Sequence, residues 1–206
     1  MFDKEFWQKI FINHAENDTA RRKIISESSA AQHLAKQAIF DLQRNKENEA
    51  QEKLKQALEM FQSLEKRFGS DQRLRNEGSW KAGLEEFVEA KLFMDFYSDK
   101  AITGLSDLHV ETEEYLGGLS DLTGEIVRMM VIWTIKNDFV KITRAHQTID
   151  EVIANLMENN FGGYLRTKFD QAKRNLQRSE QILYDWQMNK NKNFDVEKSE
   201  DQEIPE

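Results

Sequence analysis

A chain of 206 residues with one proline and no cysteine can bury one sizeable core, but it has no disulfide, no thiolate nucleophile and no thiolate metal site. Its net charge of −8 lies mostly in the closing stretch "FDVEKSEDQEIPE", which holds six acids and one lysine, so the body is nearly balanced and gives no global signal for nucleic acid. The four histidines are scattered, the start "MFDKEFWQKI" is no signal peptide and the apolar run near "MMVIW" is too short to span a bilayer, which together predict a soluble, cytoplasmic protein.

With Leu, Ala, Glu, Lys, Gln and Arg recurring throughout and only 9 glycines, the class is all-α. A first helix is predicted from about Asp18 to Arg44, where Ile24, Ser28, Ala31, Ala35, Ala38 and Leu42 recur at spacings of four and three. Such a narrow seam of small residues suits close helix packing. A second follows over Glu47 to Phe68, with Leu54, Ala57, Leu58, Phe61 and Leu64 on one face and "GSD" as its stop. The third is predicted from about Arg73 to Tyr97, and residues 98–113 read as a loop.

The fourth helix, from about Glu114 to Ile135, contains "YLGGLSDLTGEIVRMM", with three glycines that each cost a helix interior about 1 kcal/mol relative to alanine. "KND" breaks into a fifth helix carrying Phe139, Ile142, Ile149, Val152, Ile153 and Leu156, and "ENNFGG" precedes a last one ending near Asn189. That last helix sets Leu165, Phe169, Leu176, Ile182, Leu183 and Trp186 on one side, with Arg166, Lys168, Lys173, Arg174 and Arg178 read as a solvated face. The expected architecture is a single-domain bundle of six or seven helices over residues 1–193, with a disordered acidic tail over 194–206.

Two helices carry a chemical pattern. In "WKAGLEEFVEAKLFMDFY", Trp80, Leu84, Phe87, Val88 and Leu92 form one apolar face, while Glu86 and Glu89 share the other with Phe93 and Phe96. In the fourth helix Glu114, Gly118, Asp121, Glu125 and Ile132 share a stripe, and Gly117, Gly118 and Gly124 strip side chains from around the acids, so that another helix or a substrate backbone can come close. If the two helices are neighbours, E-x-x-E and D-x-x-x-E bring four carboxylates together, and such a set requires protons or a divalent cation to offset its repulsion.

All-oxygen ligation suits Mg²⁺ or Mn²⁺. The competing reading of the same acids is an ordinary solvated face, since E-x-x-E recurs by chance in acid-rich helices. A di-iron carboxylate site is disfavoured, because Leu92 and Arg128 stand where Glu-x-x-His would need histidines. An all-α Mg²⁺-dependent nucleotide pyrophosphohydrolase remains an alternative.

The stretches "GLEEFVEAKLF" at 83–93 and "EYLGGLSDLTGEIVRMM" at 114–130 resemble the translin/Trax family, and weaker similarity runs over about residues 20–190, including Trp80 and "ILYDW" in the last helix. The resemblance implies an all-α, translin-like protomer of about seven helices that assembles into a hollow homo-oligomer, an octamer, and binds single-stranded RNA or DNA. It also implies that Glu86, Glu89, Asp121 and Glu125 match the catalytic acids of Trax-type, metal-dependent endoribonucleases. Translin-type chains bind nucleic acid without the complete acid set, which leaves a non-catalytic shell protein as the alternative.

The segment "RLRNEGSW" departs from translin's basic, histidine-containing motif by presenting Glu77 and Ser79, and the 98–113 loop is short for a Trax-type chain. Candidate phosphate contacts are Arg21, Arg22, Lys23, Arg73, Arg75 and Lys81, each equally readable as a structural ion pair. Arg128, one turn beyond Glu125, reads either as a phosphate contact or as a partner for its acidic neighbours.

Overall fold

The computed structural model describes residues 3–200, with side chains through residue 189. The described residues form seven helices and no strand: α1 (Lys4–Gln43), α2 (Glu47–Phe68), α3 (Gln72–Arg75), α4 (Gly78–Tyr97), α5 (Thr112–Ile135), α6 (Phe139–Met157) and α7 (Gly163–Glu200). The expected all-α class holds. Three boundaries differ from those read in the sequence.

The first helix begins at Lys4 rather than near Asp18, because Asp3 caps it, its carboxylate accepting from the amides of Glu5 and Phe6 at 3.1 Å. The predicted third helix is two, α3 and α4, broken at Asn76 and Glu77, and Asp71 caps α3 by accepting from the amides of Arg73 and Leu74. The last helix runs on to Glu200, past the end expected near Asn189, and residues 201–206 of the expected tail lie outside the described residues. Between α4 and α5 the predicted loop is present.

The chain divides into two compact units, Met1–Leu119 and Ser120–Glu206, with the division falling inside α5. In the first unit α1 packs on α2 and α4 through the predicted seam, where Ile24, Ser28, Ala31, Ala35, Ala38 and Leu42 are all fully buried. Small residues let the backbones approach. At Gly83 of α4 a Cβ would lie 3.1 Å from the Ser28 carbonyl and 3.0 Å from the Phe61 ring, so this crossing admits only glycine without rearrangement. Helix α4 is buried on nearly every side: Trp80, Leu84 and Leu92 on one face and Phe93 on the other are fully enclosed, as its doubly apolar pattern predicted.

In the second unit α6 packs against α7. Asn137 takes a left-handed φ of 55° to turn the chain out of α5, and Asp138 then caps α6 by accepting from the Lys141 amide at 3.2 Å. Ile142, Ala145 and Ile149 are fully buried, and Phe139 stacks on Trp186 with ring centroids 4.3 Å apart. Among the described residues no helix is long and apolar enough to cross a membrane.

Candidate metal and nucleic-acid site

Glu86 and Glu89 lie three residues apart on α4, so one helical turn sets them on the same face. Glu89 is buried, 9% exposed, and Glu86 is half-buried with Lys36 of α1 at 3.4 Å from its Oε2. Burying carboxylates at this depth costs free energy unless cations or hydrogen bonds offset it, and Lys36 is one such offset.

Asp121 and Glu125, four apart on α5, are both half-buried, and Lys168 of α7 donates a hydrogen bond to Asp121 Oδ2. Thr123, between them, accepts at Oγ1 from Asn175 Nδ2 at 2.8 Å, which fixes α7 along this part of α5. All four acids have electrostatic or hydrogen-bonded interactions beyond these.

The two adjacent glycines of α5 have distinct roles. A Cβ on Gly118 would lie 2.6 Å from the Glu85 carbonyl oxygen and 2.8 Å from Val88 Cβ, so the backbone of α4 itself occupies the space that the missing side chain leaves. At Gly117 the neighbour is the flexible carboxylate of Glu85. Gly124, expected to serve the same purpose, meets only Asn175 Nδ2 at 3.5 Å, an ordinary contact.

The third acid of the α5 stripe is committed elsewhere. Glu114 accepts two hydrogen bonds of 2.8 Å from Arg75 and one of 2.9 Å from the Glu111 amide. Arg75, a candidate phosphate contact by sequence, is instead enclosed, 4% exposed and bound to Glu114. Burial opposes its charge, and the hydrogen bonds and negative charge of Glu114, with Glu65 and Glu111 beyond, hold its pKa above the ordinary guanidinium value.

The remaining bases lie nearer the surface. Arg21 donates to Glu77 at 2.9 and 3.0 Å, a pair that raises the arginine's pKa through the hydrogen bond first and the charge second. Arg22 pairs with Asp18 at 2.6 Å, and Arg73 donates to Asn17 at 2.8 Å. Lys23 and Arg128 are exposed and Lys81 is half-buried. Each of Arg21, Arg22 and Arg73 thus already has a polar partner, which a phosphate would have to displace or share.

Oxygen-only donors of this kind suit a hard divalent cation. Among the described residues, no group of three or more His, Asp or Glu side chains is arranged to hold a metal ion. Lysine ammonium groups stand against two of the four acids, Lys36 against Glu86 and Lys168 against Asp121, so a cation binding either carboxylate has to displace its lysine. Nothing in the sequence marks either lysine as part of a site. The sequence predicts a solvated Lys168, and only the folded position of α7 beside Asp121 reveals its partner.

Capped helices, a small-residue seam and a glycine-cleared crossing next to an acidic stripe define an all-helical protein of translin-type fold. The model of the Translin family matches residues 19–190, and the chain belongs to that family. The fold is similar to the solved structure titled "Crystal structure of apo-NeC3PO", at 19% identity and a TM-score of 0.81 over 90% of this chain and 98% of that one. It is also similar to "Structure of AfC3PO - duplex RNA complex", at 21% identity and a TM-score of 0.79 over 89% of this chain and 97% of that one. "Crystal structure of AfC3PO" matches at 22% identity and a TM-score of 0.82, with 89% and 97% covered. No curated protein sequence matches.

Proposed function

We propose that this chain is a Trax-type member of its family, a Mg²⁺- or Mn²⁺-dependent endoribonuclease that acts on single-stranded RNA within a hollow homo-octamer in the cytoplasm. Glu86, Glu89, Asp121 and Glu125 would hold the ion, and a divalent cation bound there supplies Lewis-acid polarisation of the scissile phosphodiester. Glu125 or Glu89 takes the proton of the attacking water, Asp121 orients the donor set, and Arg21, Arg22, Lys23, Arg73, Lys81 and Arg128 contact the RNA backbone.

The observation that supports this reading is a pair of sequestered carboxylates on each of two helices, Glu86 and Glu89 on α4 and Asp121 and Glu125 on α5. The family match and the similar structure described as a duplex RNA complex support a nucleic-acid partner.

A second reading has its own support. The lysine partners of Glu86 and Asp121 neutralise those carboxylates without any metal, as befits a non-catalytic shell that only binds RNA or single-stranded DNA. Cleavage of labelled single-stranded and duplex RNA by the purified chain, with Mg²⁺ and with chelator, separates the two. Mg²⁺-dependent cleavage abolished by Asp121→Ala, with RNA binding retained, is the expected outcome. Binding without cleavage under every condition would leave the shell reading standing, and turnover of free nucleotides in place of RNA would point to the pyrophosphohydrolase.

A further inference from the structure

The family match begins at residue 19, yet α1 begins at Lys4, so about four turns of helix precede the matched region. Every residue from 3 to 16 is exposed. Phe6, Trp7 and Phe11 are 54%, 39% and 64% exposed, with Ile10 and Ile12 alongside. Trp7 sits between the other two rings, 5.9 Å from Phe6 and 6.1 Å from Phe11, making one continuous aromatic strip. A patch of this kind on a well-capped helix marks an interaction surface, since contiguous exposed apolar area is rare where no partner covers it.

The pattern along this strip suits a second helix. Lys4, Trp7, Phe11, His14 and Asp18 share one face at spacings of three, four, three and four, with the aromatic pair Trp7 and Phe11 inside it, a cation at one end and an anion at the other. Beside that face runs a shallow groove lined by Lys4, Trp7, Gln8, Phe11, Ile12 and Ala15.

We propose that this segment pairs antiparallel with the same segment of a second copy of the chain, about a twofold axis at Phe11. In that register Phe11 meets Phe11, Trp7 of each copy lies over the small Ala15 of the other, and Lys4 of each faces Asp18 of the other. A parallel pairing would instead set lysine against lysine and aspartate against aspartate. Trp7 and Phe11 of the two helices, at about 150–250 Å² each, bury on the order of 600–1,000 Å² in total, a small interface of the weak class. The contact lies outside the family domain and does not depend on the ribonuclease reading.

Because the chain has no cysteine, single thiols report the register directly. Full-length Lys4→Cys and Asp18→Cys variants are mixed and treated with a short bis-maleimide. The antiparallel pair yields a cross-link between the two different variants and none within either alone, and Trp7→Ser introduced into both lowers that yield at least tenfold. In sedimentation, Lys4→Glu weakens self-association and Lys4→Glu combined with Asp18→Lys restores it. Cross-links within one variant alone would overturn the proposal in favour of a parallel pair. Absence of any cross-link would overturn it as well, and Trp7-dependent flotation with phosphatidylcholine–phosphatidylserine vesicles would then assign the patch to a lipid surface.

Discussion

Arg75 and Glu114 meet through two hydrogen bonds of 2.8 Å, with side chains only 5% and 3% exposed. The pair ties the short α3 to the first turn of α5, and Arg75 also lies over the Trp80 ring at 5.2 Å. Its third nitrogen, Nε, stands 3.6 Å from Glu65 Oε2, and neither of those two buried atoms has a hydrogen-bond partner. Removing one member of such a pair leaves a buried charge uncompensated. Glu114→Ala is expected to destabilise the fold by about 3–5 kcal/mol, read by urea denaturation, with Arg75→Ala costing a similar amount and the double variant far less than the sum.

Gly118 and Gly124 lie on the same helix, and alanine at the two positions should act with opposite sign. At Gly118 the new methyl meets a backbone carbonyl at 2.6 Å, which cannot yield as a side chain would, so Gly118→Ala is expected to cost about 1–3 kcal/mol. At Gly124 the only neighbour is 3.5 Å away, and Gly124→Ala should be neutral or stabilise by up to about 1 kcal/mol through helix propensity. Melting temperatures of the two variants decide it.

Asp138 makes the start of α6 sensitive to acid. Its pKa is held below the ordinary carboxylate value, first by the side-chain hydrogen bond with Lys141 and then by the Lys141 amide. A depressed folded-state pKa means that the stabilisation is full above the unfolded value, about 3.9, and is lost as pH falls through the lower folded value. Asp138→Asn keeps a capping acceptor without the charge. It should therefore retain most of the stability at pH 7 and lose part of the wild type's decline below pH 4, whereas Asp138→Ala should cost about 1 kcal/mol at neutral pH.

Lys168 competes with any cation for Asp121. If the acids hold Mg²⁺, Lys168→Met should lower the Mg²⁺ concentration needed for half-maximal RNA cleavage several-fold, because the ammonium no longer has to be displaced. An unchanged Mg²⁺ midpoint would argue that Asp121 is not a ligand.

RNA binding should weaken steeply with salt, with a slope in log–log coordinates set by the number of phosphates neutralised. Lys23→Ala is expected to reduce that slope by about 1 without altering stability. An Arg75 substitution should lower stability instead, since its guanidinium is enclosed.

The contrast between Arg73 and Arg75 shows where sequence reading ends. They sit two residues apart in "RLRNEGSW" and look alike on paper, yet one is exposed and the other buried, because a four-residue helix turns them to opposite sides. The start of α1 is hidden in the sequence for another reason: that segment buries nothing, so no apolar seam announces it, and a single capping aspartate together with the absence of breakers suffices to make it helical.

The sequence by itself determined the all-helical class, the α1 seam and the spacing of both acid pairs, because each follows from helical periodicity, whereas the crossing that requires glycine at position 118 exists only once α4 lies against α5. Only the tertiary structure decided which charges meet: Lys36 with Glu86, Lys168 with Asp121, Arg75 with Glu114. Those partners lie far apart in the chain, and periodicity fixes the direction a side chain takes from its own helix without fixing which other helix it will find there.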